Sequence, residues 1–537
     1  MIDEVIGQNI QIGLENLAGM CMANDNNVWY NEHIAYPPSM PLSVAAQHFR
    51  RYNMKKNVKE AKSAEYTSPY EFHGRIPLQQ AIPLGLQHVL AMFVGNLTPL
   101  MIICGICGIT SDHPEIYVTL LQNAMLGAGI ITLIQLWSIG PIGGQVPVIM
   151  GTSSGFLGVM RGVAANSALG GGLVAYGAII GAGMIGGLCE AVLGFFIKPL
   201  RKFFPPVVTG SVVLAIGLSL ISVGVNSFAG GSGAKDFGSI PNLLLGLLVL
   251  AVIVALKHFT KGITSTSCIL CGIIVGYIAA SIMGMVMPHE LVDAEGATYT
   301  ASWYVNWSKI GEASWFSIPK ILPVKPVFNV HAIMSIMIMF LVTAVETIGD
   351  ISGCIEGGMG REATAKELSG GVICDGVGSF ISSLLSSLPT TSFSQNVGLV
   401  TMTKVVNRMA LTCGAIFLVL AGLSPKLAAV ISIMPQSVLG GAAVMMFASI
   451  AVSGIKLLTK YGITNRVVTI VSIAMGLGFG LGATTGALAG LPEAVQLIFG
   501  GSGIVPAAVL AIILNIIIPK EQEDLDNEAR VNSGASL

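Results

Sequence analysis

The chain has 537 residues, of which 53% are hydrophobic and only 10% are charged, and its formal net charge is -1. Soluble domains carry about 25% charged residues, so a soluble core does not explain this deficit. A near-neutral chain without a Lys/Arg-rich run that has interleaved aromatic residues also gives no basis for binding nucleic acid. Long apolar runs recur between residues 76 and 519, which indicates a polytopic membrane protein in a lipid bilayer.

Residues 1–76 form a polar extension before the first apolar run. The extension contains no apolar stretch of the kind that a secretory signal requires. Seven basic residues cluster in its second half: Arg50, Arg51, Lys55, Lys56, Lys59, Lys62 and Arg75. We therefore expect a cytoplasmic extension of unassigned function, a membrane domain over 77–519 and a cytoplasmic tail over 520–537.

The membrane domain contains fourteen predicted apolar segments. They lie near residues 79–106, 114–137, 145–165, 171–197, 206–226, 240–257, 262–287, 329–350, 370–388, 394–404, 408–424, 428–454, 465–485 and 494–519. The tenth is too short to cross about 30 Å as a helix, and the third begins with residues typical of a strand. The sequence thus predicts an all-α membrane fold with short strand-like starts in segments 3 and 10.

The distribution of basic residues predicts the orientation of these segments. With the N-terminus in the cytoplasm, the cytoplasmic loops are rich in Lys and Arg, whereas the opposite short loops hold little beyond Arg161, Lys235 and Lys426. This asymmetry indicates an even number of spans and a cytoplasmic C-terminus. The long outer loop, 288–328, carries four aromatic residues that we expect at the membrane interface: Trp303, Trp307, Trp315 and Phe316.

The outer loop divides the chain into two halves of seven segments. In the third segment Pro147 precedes the small, hydroxylated run 151–154, and in the tenth Pro389 precedes the similar run 390–394. Because seven is odd, the second half enters the membrane with opposite topology. Interrupted polar segments at matching positions of two such halves predict an inverted-repeat transporter with a site at mid-membrane.

Four acidic residues stand in apolar surroundings: Glu190, Glu346, Asp350 and Asp375. Glu346 and Asp350 are four residues apart, so they share one face of a helix. Two carboxylates in a medium of low polarity favour holding a proton between them. Two alternatives stay open, because Asp350 could simply end the helix at the cytoplasmic surface and Glu190 could only bond a neighbouring helix.

Side-chain amides and one histidine also occur inside apolar segments. Gln395 and Asn396 together offer four N–H donors and two acceptors, which suits the edge of a flat polar ring. His88 either bonds between helices or handles substrate or proton directly. The pairs Cys104/Cys107 and Cys268/Cys271 are interpreted as packing residues, because no further ligand lies near enough to complete a metal site.

With these residues in view, the chain resembles the nucleobase–ascorbate transporter family, also called uracil/xanthine permeases. The family signature is Gln, Glu or Pro, then Asn-x-Gly, four free positions, Thr, and a basic residue or Gly. Here it runs from Gln395 to Lys404. The pair Gln87-His88, the glutamate Glu346 and the pair Asp375-Gly376 also match, and the resemblance covers about 77–519.

The resemblance implies a fold and roles for individual residues. A core domain (77–200 and 329–425) would move against a gate domain (203–287 and 428–519), usually in a homodimer. Glu346 and Gln395 would hydrogen-bond the base, Asp375 and His88 would support the proton and its network, and Asn396 would shape affinity or coupling. Glutamine at the first signature position resembles purine members, and Asp350 resembles the xanthine-type branch.

One departure concerns the side chain that stacks on the base. Purine members often have an aromatic residue after Gly-Thr-Ser in the third segment, whereas Ser154 stands here. A small residue at this position loosens the pocket, so the plane of the base must be held by Phe393, Phe156 or a gate-domain side chain. We therefore place Ser154 and Phe393 among the expected substrate-binding residues.

Taken with the resemblance, these residues predict a proton-coupled importer of a purine nucleobase, xanthine first and urate second, in the inner cell membrane. The proton is the expected coupling ion, and no cofactor is expected. A uracil or pyrimidine permease is one alternative. A sodium-coupled or facilitative anion carrier of similar fold is another, although such carriers lack the Gln-Asn-x-Gly signature. An enzyme or channel is disfavoured, because no nucleophile–base pair, phosphate loop or metal cluster occurs in the loops.

Overall fold

The computed structural model describes residues 21–22, 29–31, 34–36, 67–165, 170–197, 205–231, 234–292, 296–311, 313–459, 462–484, 486–491, 495–496, 499 and 503–532. The chain divides into two units, Met1–Thr67 and Ser68–Leu537. In the first unit, three short strands form an antiparallel sheet in chain order: β1 (Cys21–Met22), β2 (Trp29–Asn31) and β3 (Ile34–Tyr36).

The second unit is helical apart from short strands. Its first half comprises α1 (Leu78–Ile106), α2 (Ile109–Asp112), α3 (Pro114–Trp137), β4 (Met150–Thr152), α4 (Leu157–Ala165), α5 (Gly172–Gly194), α6 (Pro206–Phe228), α7 (Ile240–Phe259), α8 (Ile263–Thr266) and α9 (Cys268–Val286). The connecting loop contains a hairpin, β5 (Glu290–Val292) with β6 (Thr298–Thr300), and α10 (Ser308–Gly311).

The second half repeats the pattern of long helices around one short strand. It comprises α11 (Val330–Cys354), continued by a π-helical turn (Ile355–Met359), α12 (Ala365–Leu384), β7 (Thr390–Ser392), α13 (Ser394–Thr403), α14 (Arg408–Gly422), α15 (Pro425–Ser432), α16 (Gln436–Thr459), α17 (Asn465–Ile473), a further π-helical stretch (Ala474–Phe479), α18 (Gly480–Ala483), α19 (Ile504–Ile517) and α20 (Gln522–Asn532).

Eight helices in the described part of the chain are long and apolar enough to cross a membrane. A ninth candidate is the pair α14 and α15, which is bent by 81°. The predicted segment 428–454 is therefore wrong as one span, because it covers the end of α15 and most of α16. Pro435 separates these helices, since proline disfavours helical geometry at the residue before it and lacks an N–H.

The ninth predicted segment, 370–388, is also shifted relative to α12. The helix begins at residue 365 because Thr364 and Glu367 form a capping box, in which each side chain bonds the other's backbone N–H. The helix ends at Leu384, because the following residues turn into strand β7. Polar capping residues therefore start this helix before its apolar run begins.

The helices of the second unit pack in two groups. One contains α1, α3, α5, α11, α12 and α14, and the other contains α6, α7, α9, α16 and α19. Glycines bring helices close: a Cβ on Gly187 of α5 would lie 2.7 Å from the carbonyl oxygen of Gly376 on α12. Helix α15 packs on α3 in the first group, so residues 428–432 differ from their predicted place in the gate.

Two further regions differ from the sequence-based expectation. Residues 68–76, which the sequence assigned to the extension, belong to the second unit, where Phe72 is buried and the carbonyl of Pro69 accepts from the N–H of Val406 at 3.2 Å. In the outer loop, Trp303 is buried, so its expected place at the membrane interface is wrong. The other three aromatic residues of that set are exposed.

Candidate functional site

The candidate site is built around strands β4 and β7, which pair antiparallel. Met150 pairs with Ser392 and Thr152 with Thr390, and the ladder extends at both ends through Ser153 N–H to Pro389 (2.9 Å) and Phe393 N–H to Ile149 (3.0 Å). Both strands are fully buried. Two short runs from opposite halves of the sequence therefore satisfy each other's backbone where water is excluded.

Side chains from the surrounding helices bond the free edges of this two-stranded sheet. Asn96 of α1 accepts from the N–H of Thr152 at 2.7 Å, and Thr132 of α3 accepts from the N–H of Met150 at 3.0 Å. Ser379 of α12 accepts from the N–H of Thr390 at 3.0 Å. The strands are thus held in fixed positions by three helices of the first group, which fixes the residues that follow each strand.

The two carboxylates of α11 meet the end of β7 and the start of α13. The Ser392 hydroxyl donates to Asp350 at 2.7 Å, and the Ser394 hydroxyl lies 3.0 Å from Asp350 and 3.3 Å from Glu346. Both carboxylates are buried. Asp350 therefore does not end its helix at a solvated surface, because it is held against the strand by two hydroxyl groups.

One oxygen of Glu346 is left for a ligand. Its Oε1 atom is within reach of Ser394, but its buried Oε2 atom has no hydrogen-bond partner among the described residues. The space beside Oε2 exists because residue 155 is glycine: a Cβ there would lie 3.6 Å from Oε2 and 3.6 Å from Ile216 of α6. This atom therefore faces the seam between the two helix groups.

Asp375 of α12 is bonded to the middle residue of strand β7. It accepts hydrogen bonds from the hydroxyls of Thr347 and Thr391, the second at 3.2 Å, and its side chain is fully buried. Thr347 also contacts Ser392 at 3.2 Å. A continuous series of hydrogen-bond contacts therefore joins Glu346, Ser394, Asp350, Ser392, Thr347 and Asp375.

Glu190 is held apart from this series. It lies on α5 and is buried, and its Oε1 atom accepts from the hydroxyl of Thr343 on α11 at 3.1 Å. This contact joins two helices of the first group, which favours the helix-bonding interpretation of Glu190. Its Oε2 atom has no hydrogen-bond partner in the described structure.

The remaining polar residues predicted for the site lie on α1 and α13. His88 is buried on α1, and its Nδ1 atom has no hydrogen-bond partner in the described region. Asn396 is buried on α13, and neither atom of its amide is bonded to a described residue. The side chain of Gln395 lies outside the described part of the structure, although its backbone belongs to the first turn of α13.

The aromatic residues near the strands differ in their availability. Phe156 is fully buried edge-on against Phe340, with ring centroids 4.6 Å apart, and the expectation that it holds the plane of a base stays a prediction. The buried ring of Phe393 packs where a Cβ on Gly95 or Gly151 would come within 2.7 Å of it. Ser154 follows the end of β4 and is only half-buried, so its side chain is more accessible than that of Phe393.

Several residues of the site escaped sequence analysis. The hydroxyls of Ser392 and Ser394 flank the signature, and their polarity in an apolar run was the available signal. Gly155 and Ile216 gave no such signal in the sequence, because only the folded chain brings α6 close to the residue that follows β4. Among the residues that the structure describes, no three His, Cys, Asp or Glu side chains are grouped as a metal ion would require.

Comparison with known proteins adds sequence relatives to this geometry. A family model for xanthine/uracil permeases, described as a permease family, matches residues 79–486. A putative purine permease of Clostridium perfringens, CPE0397, is 36% identical over 467 residues, which are 87% of this chain and 96% of that protein. The uric acid permease PucK of Bacillus subtilis is 36% identical over 82% of this chain and 96% of its own length.

Two further comparisons cover a similar share of the chain. The xanthine permease of Bacillus subtilis is 34% identical over 82% of this chain and 93% of its own length. Among solved structures, the transmembrane domain of the cyanobacterial bicarbonate transporter BicA aligns with a TM-score of 0.50 at 13% identity, over 82% of this chain and 97% of that domain. At that identity the structural likeness concerns the fold alone.

Proposed function

The chain belongs to the nucleobase–ascorbate transporter family of xanthine and uracil permeases, and from this premise we propose that it is a proton-coupled symporter importing a purine nucleobase, xanthine first and urate second. The relatives described above are purine, uric acid and xanthine permeases, which supports a purine over a pyrimidine. The protein is a multi-pass membrane protein, and transport rather than chemical conversion is its activity.

The observation that best supports this proposal is the Oε2 atom of Glu346, which has no hydrogen-bond partner among the described residues. It is buried and faces the gap left by Gly155, at the seam with α6. An ionised carboxylate accepts a ring N–H, and a protonated one can donate to an exocyclic oxygen, so this atom can bond an oxidised purine in either state. Gln395, the second residue of α13 and next to Ser394, would supply the complementary amide.

Proton coupling is supported by the hydroxyl contacts between the carboxylates. The described partners of Glu346, Asp350 and Asp375 are hydroxyls of Ser and Thr. Two negative charges one helical turn apart repel strongly in a medium of low dielectric constant, so binding one proton to the pair relieves that repulsion. We propose that a proton bound here is released when the base leaves, with His88 supporting the network and Asn396 tuning it.

The transport cycle follows from the position of the site. In our proposal the first helix group acts as the core and the second as the gate, and the core moves against the gate so that the seam beside Gly155 opens to each side in turn. We expect a homodimer with both termini in the cytoplasm, in keeping with the basic cytoplasmic loops. A small inorganic anion is disfavoured as substrate, because it has no ring N–H that Oε2 of Glu346 could accept and the carboxylates around the seam would repel it.

Competition for uptake tests the substrate assignment. We expect unlabelled xanthine and urate to displace labelled xanthine from cells that produce the full chain, whereas uracil, bicarbonate and sulphate at equal concentration do not. Cells without the protein provide the background. If uracil outcompetes every purine, the purine assignment is wrong. If an inorganic anion competes as well as xanthine does, the anion carrier is the correct interpretation.

A further inference from the structure

A cavity lies between the two helix groups, and none of the carboxylates lines it. Its volume is about 380 Å³. Its walls come from α1 and α15 on one side and from α9 and α16 on the other. Its lining includes Met101 on α1, Ile273, Ile274 and Ile278 on α9, Ile431 on α15, and Trp307 beside α10. We call this cavity the lateral crevice.

The chemistry of the crevice excludes water and nucleobases. Its lining side chains are aliphatic, thioether or aromatic, and the polar atoms among them are the hydroxyl of Tyr277 and the indole N–H of Trp307. The hydroxyl of Tyr277 donates to the carbonyl of Val430 at 2.8 Å. Apolar cavities of this kind stay dry and bind apolar molecules. A purine would lose its hydrogen bonds to water without replacement, at a cost in free energy. The crevice is therefore distinct from the site at Glu346.

The crevice opens sideways, towards the surface of the membrane domain. Ile274, Ile278 and Trp307 at its edge are each about half exposed, at 49%, 54% and 49%. The first two lie in the middle of α9, one of the helices long and apolar enough to cross the membrane, and most of that helix is not covered by protein. At this depth a bilayer presents hydrocarbon chains, so the opening is continuous with the lipid-facing surface.

We propose that the lateral crevice binds one acyl chain of a membrane phospholipid, inserted between α9 and the pair α1 and α15. The dry apolar wall, the half-exposed edge and the position of that edge at mid-helix all suit a hydrocarbon chain. Because the walls belong to both helix groups, an inserted chain holds α9 away from α1. Occupancy then alters how closely the two groups approach, and the rate of transport depends on the acyl composition of the bilayer.

Photolabelling of the full chain in proteoliposomes tests the binding step. The probe is a phosphatidylcholine with a diazirine in the middle of one acyl chain, and labelled residues are mapped by mass spectrometry. We expect labelling of Met101, which is almost fully buried inside the crevice, as well as of Ile282 on the open face of α9. Lining substitutions Ile431→Phe and Ile273→Phe, on opposite walls, should each reduce labelling of Met101 at least fivefold and leave labelling of Ile282 unchanged.

The matched control is Ile282→Phe, which adds the same bulk to α9 outside the crevice. It should leave labelling of Met101 as in the wild type. Melting temperatures and gel-filtration profiles identify a lining variant, Ile431→Phe or Ile273→Phe, that fails to fold. In that case the other lining variant is used alone. The proposal is overturned if Met101 is not labelled in the wild type, or if Met101 is labelled equally in the wild type and in the lining variants. Displacement of the probe by a sterol but not by excess phospholipid assigns the crevice to another ligand and also overturns it.

This test does not depend on the transport proposal, because it measures labelling without substrate. If labelling behaves as expected, uptake is compared in bilayers of saturated and unsaturated phospholipid. The ratio of the two rates should move towards one in Ile431→Phe and stay at the wild-type value in Ile282→Phe. An unchanged ratio in Ile431→Phe would leave a bound chain without the proposed effect on rate, and that part of the proposal would be withdrawn.

Discussion

Replacing Glu346 with Gln separates binding of the base from coupling to the proton. Glutamine retains an oxygen that can accept from Ser394, as Oε1 of Glu346 does at 3.3 Å, and places an amide where Oε2 faces Gly155. The two side chains have nearly the same size, so packing is preserved. Because an amide cannot take up a proton, we expect this variant to exchange base across the membrane but to lose accumulation driven by a proton gradient.

The expected loss can be calculated for one proton carried per base. A gradient of one pH unit is equivalent to about 1.4 kcal/mol, or roughly tenfold accumulation. A membrane potential of 100 mV adds about 2.3 kcal/mol per charge, or roughly another 50-fold. The wild type can therefore concentrate xanthine up to several hundred-fold, on the order of 500. In Glu346→Gln the ratio should fall to about one, since no step of its cycle is linked to the gradient.

Proteoliposomes with an imposed pH gradient measure accumulation, and counterflow of labelled xanthine measures exchange. Glu190→Gln is the matched control, because Glu190 is another buried carboxylate of the same helix group but bonds Thr343 away from the opening. It should retain both activities. Normal accumulation by Glu346→Gln, abolished by a protonophore as in the wild type, would refute the role of Glu346. Equal loss in Glu190→Gln would show that the effect is not specific to Glu346, because removing a buried carboxylate away from the opening would have the same result.

Three further substitutions examine the surroundings of that atom. Gln395→Ala should raise the KM for xanthine about 5- to 150-fold while the protein still reaches the membrane, because leaving a buried polar group of the base unpaired costs about 1–3 kcal/mol; an unchanged KM would remove Gln395 from the site. Phe393→Ala should weaken uptake of every base and lower the melting temperature, since emptying the space of a buried Phe lowers the free energy of unfolding by about 3–5 kcal/mol. A fall in melting temperature with normal uptake would show that Phe393 is a packing residue only. Gly155→Ala should fold normally, because the nearest contacts of the added Cβ would be at 3.4–3.6 Å. It should raise the KM for xanthine, because the added methyl group covers Oε2 of Glu346. The control Gly105→Ala, whose added Cβ would meet open space, should transport like wild type.

The long spans were predictable from sequence because the residues that bound an apolar run also bound the helix. Segment 114–137 coincides with α3, which Pro114 begins, and segment 79–106 differs from α1 by one residue. Prediction was wrong where local chemistry divides an apolar run. Pro435 splits the segment 428–454, and the capping box at Thr364 starts α12 among polar residues. Hydrophobicity alone does not register either signal.

For the site, periodicity placed Glu346 and Asp350 on one helical face, and the structure brings both to Ser394. The hydroxyl contacts of Asp375 could not be predicted, because Thr347 and Thr391 come from separate elements that only tertiary packing brings together. The orientation of Phe156 was unpredictable for the same reason. Its ring is buried against Phe340, a residue of the other half of the chain. Features set within one helix could be predicted from the sequence, whereas the orientation of a side chain relative to another helix or strand could not.

The pairing of β4 with β7 has a consequence for biosynthesis. Strand β4 leaves the ribosome long before its partner, and until β7 arrives its N–H and C=O groups lack the bonds that the finished protein supplies. The first half should therefore be retained by the insertion machinery, or shielded by a chaperone, until most of the second half has been synthesised. Produced alone, it should be degraded rapidly. Co-production of the two halves as separate polypeptides should rescue both, because the missing strand can be supplied by another chain.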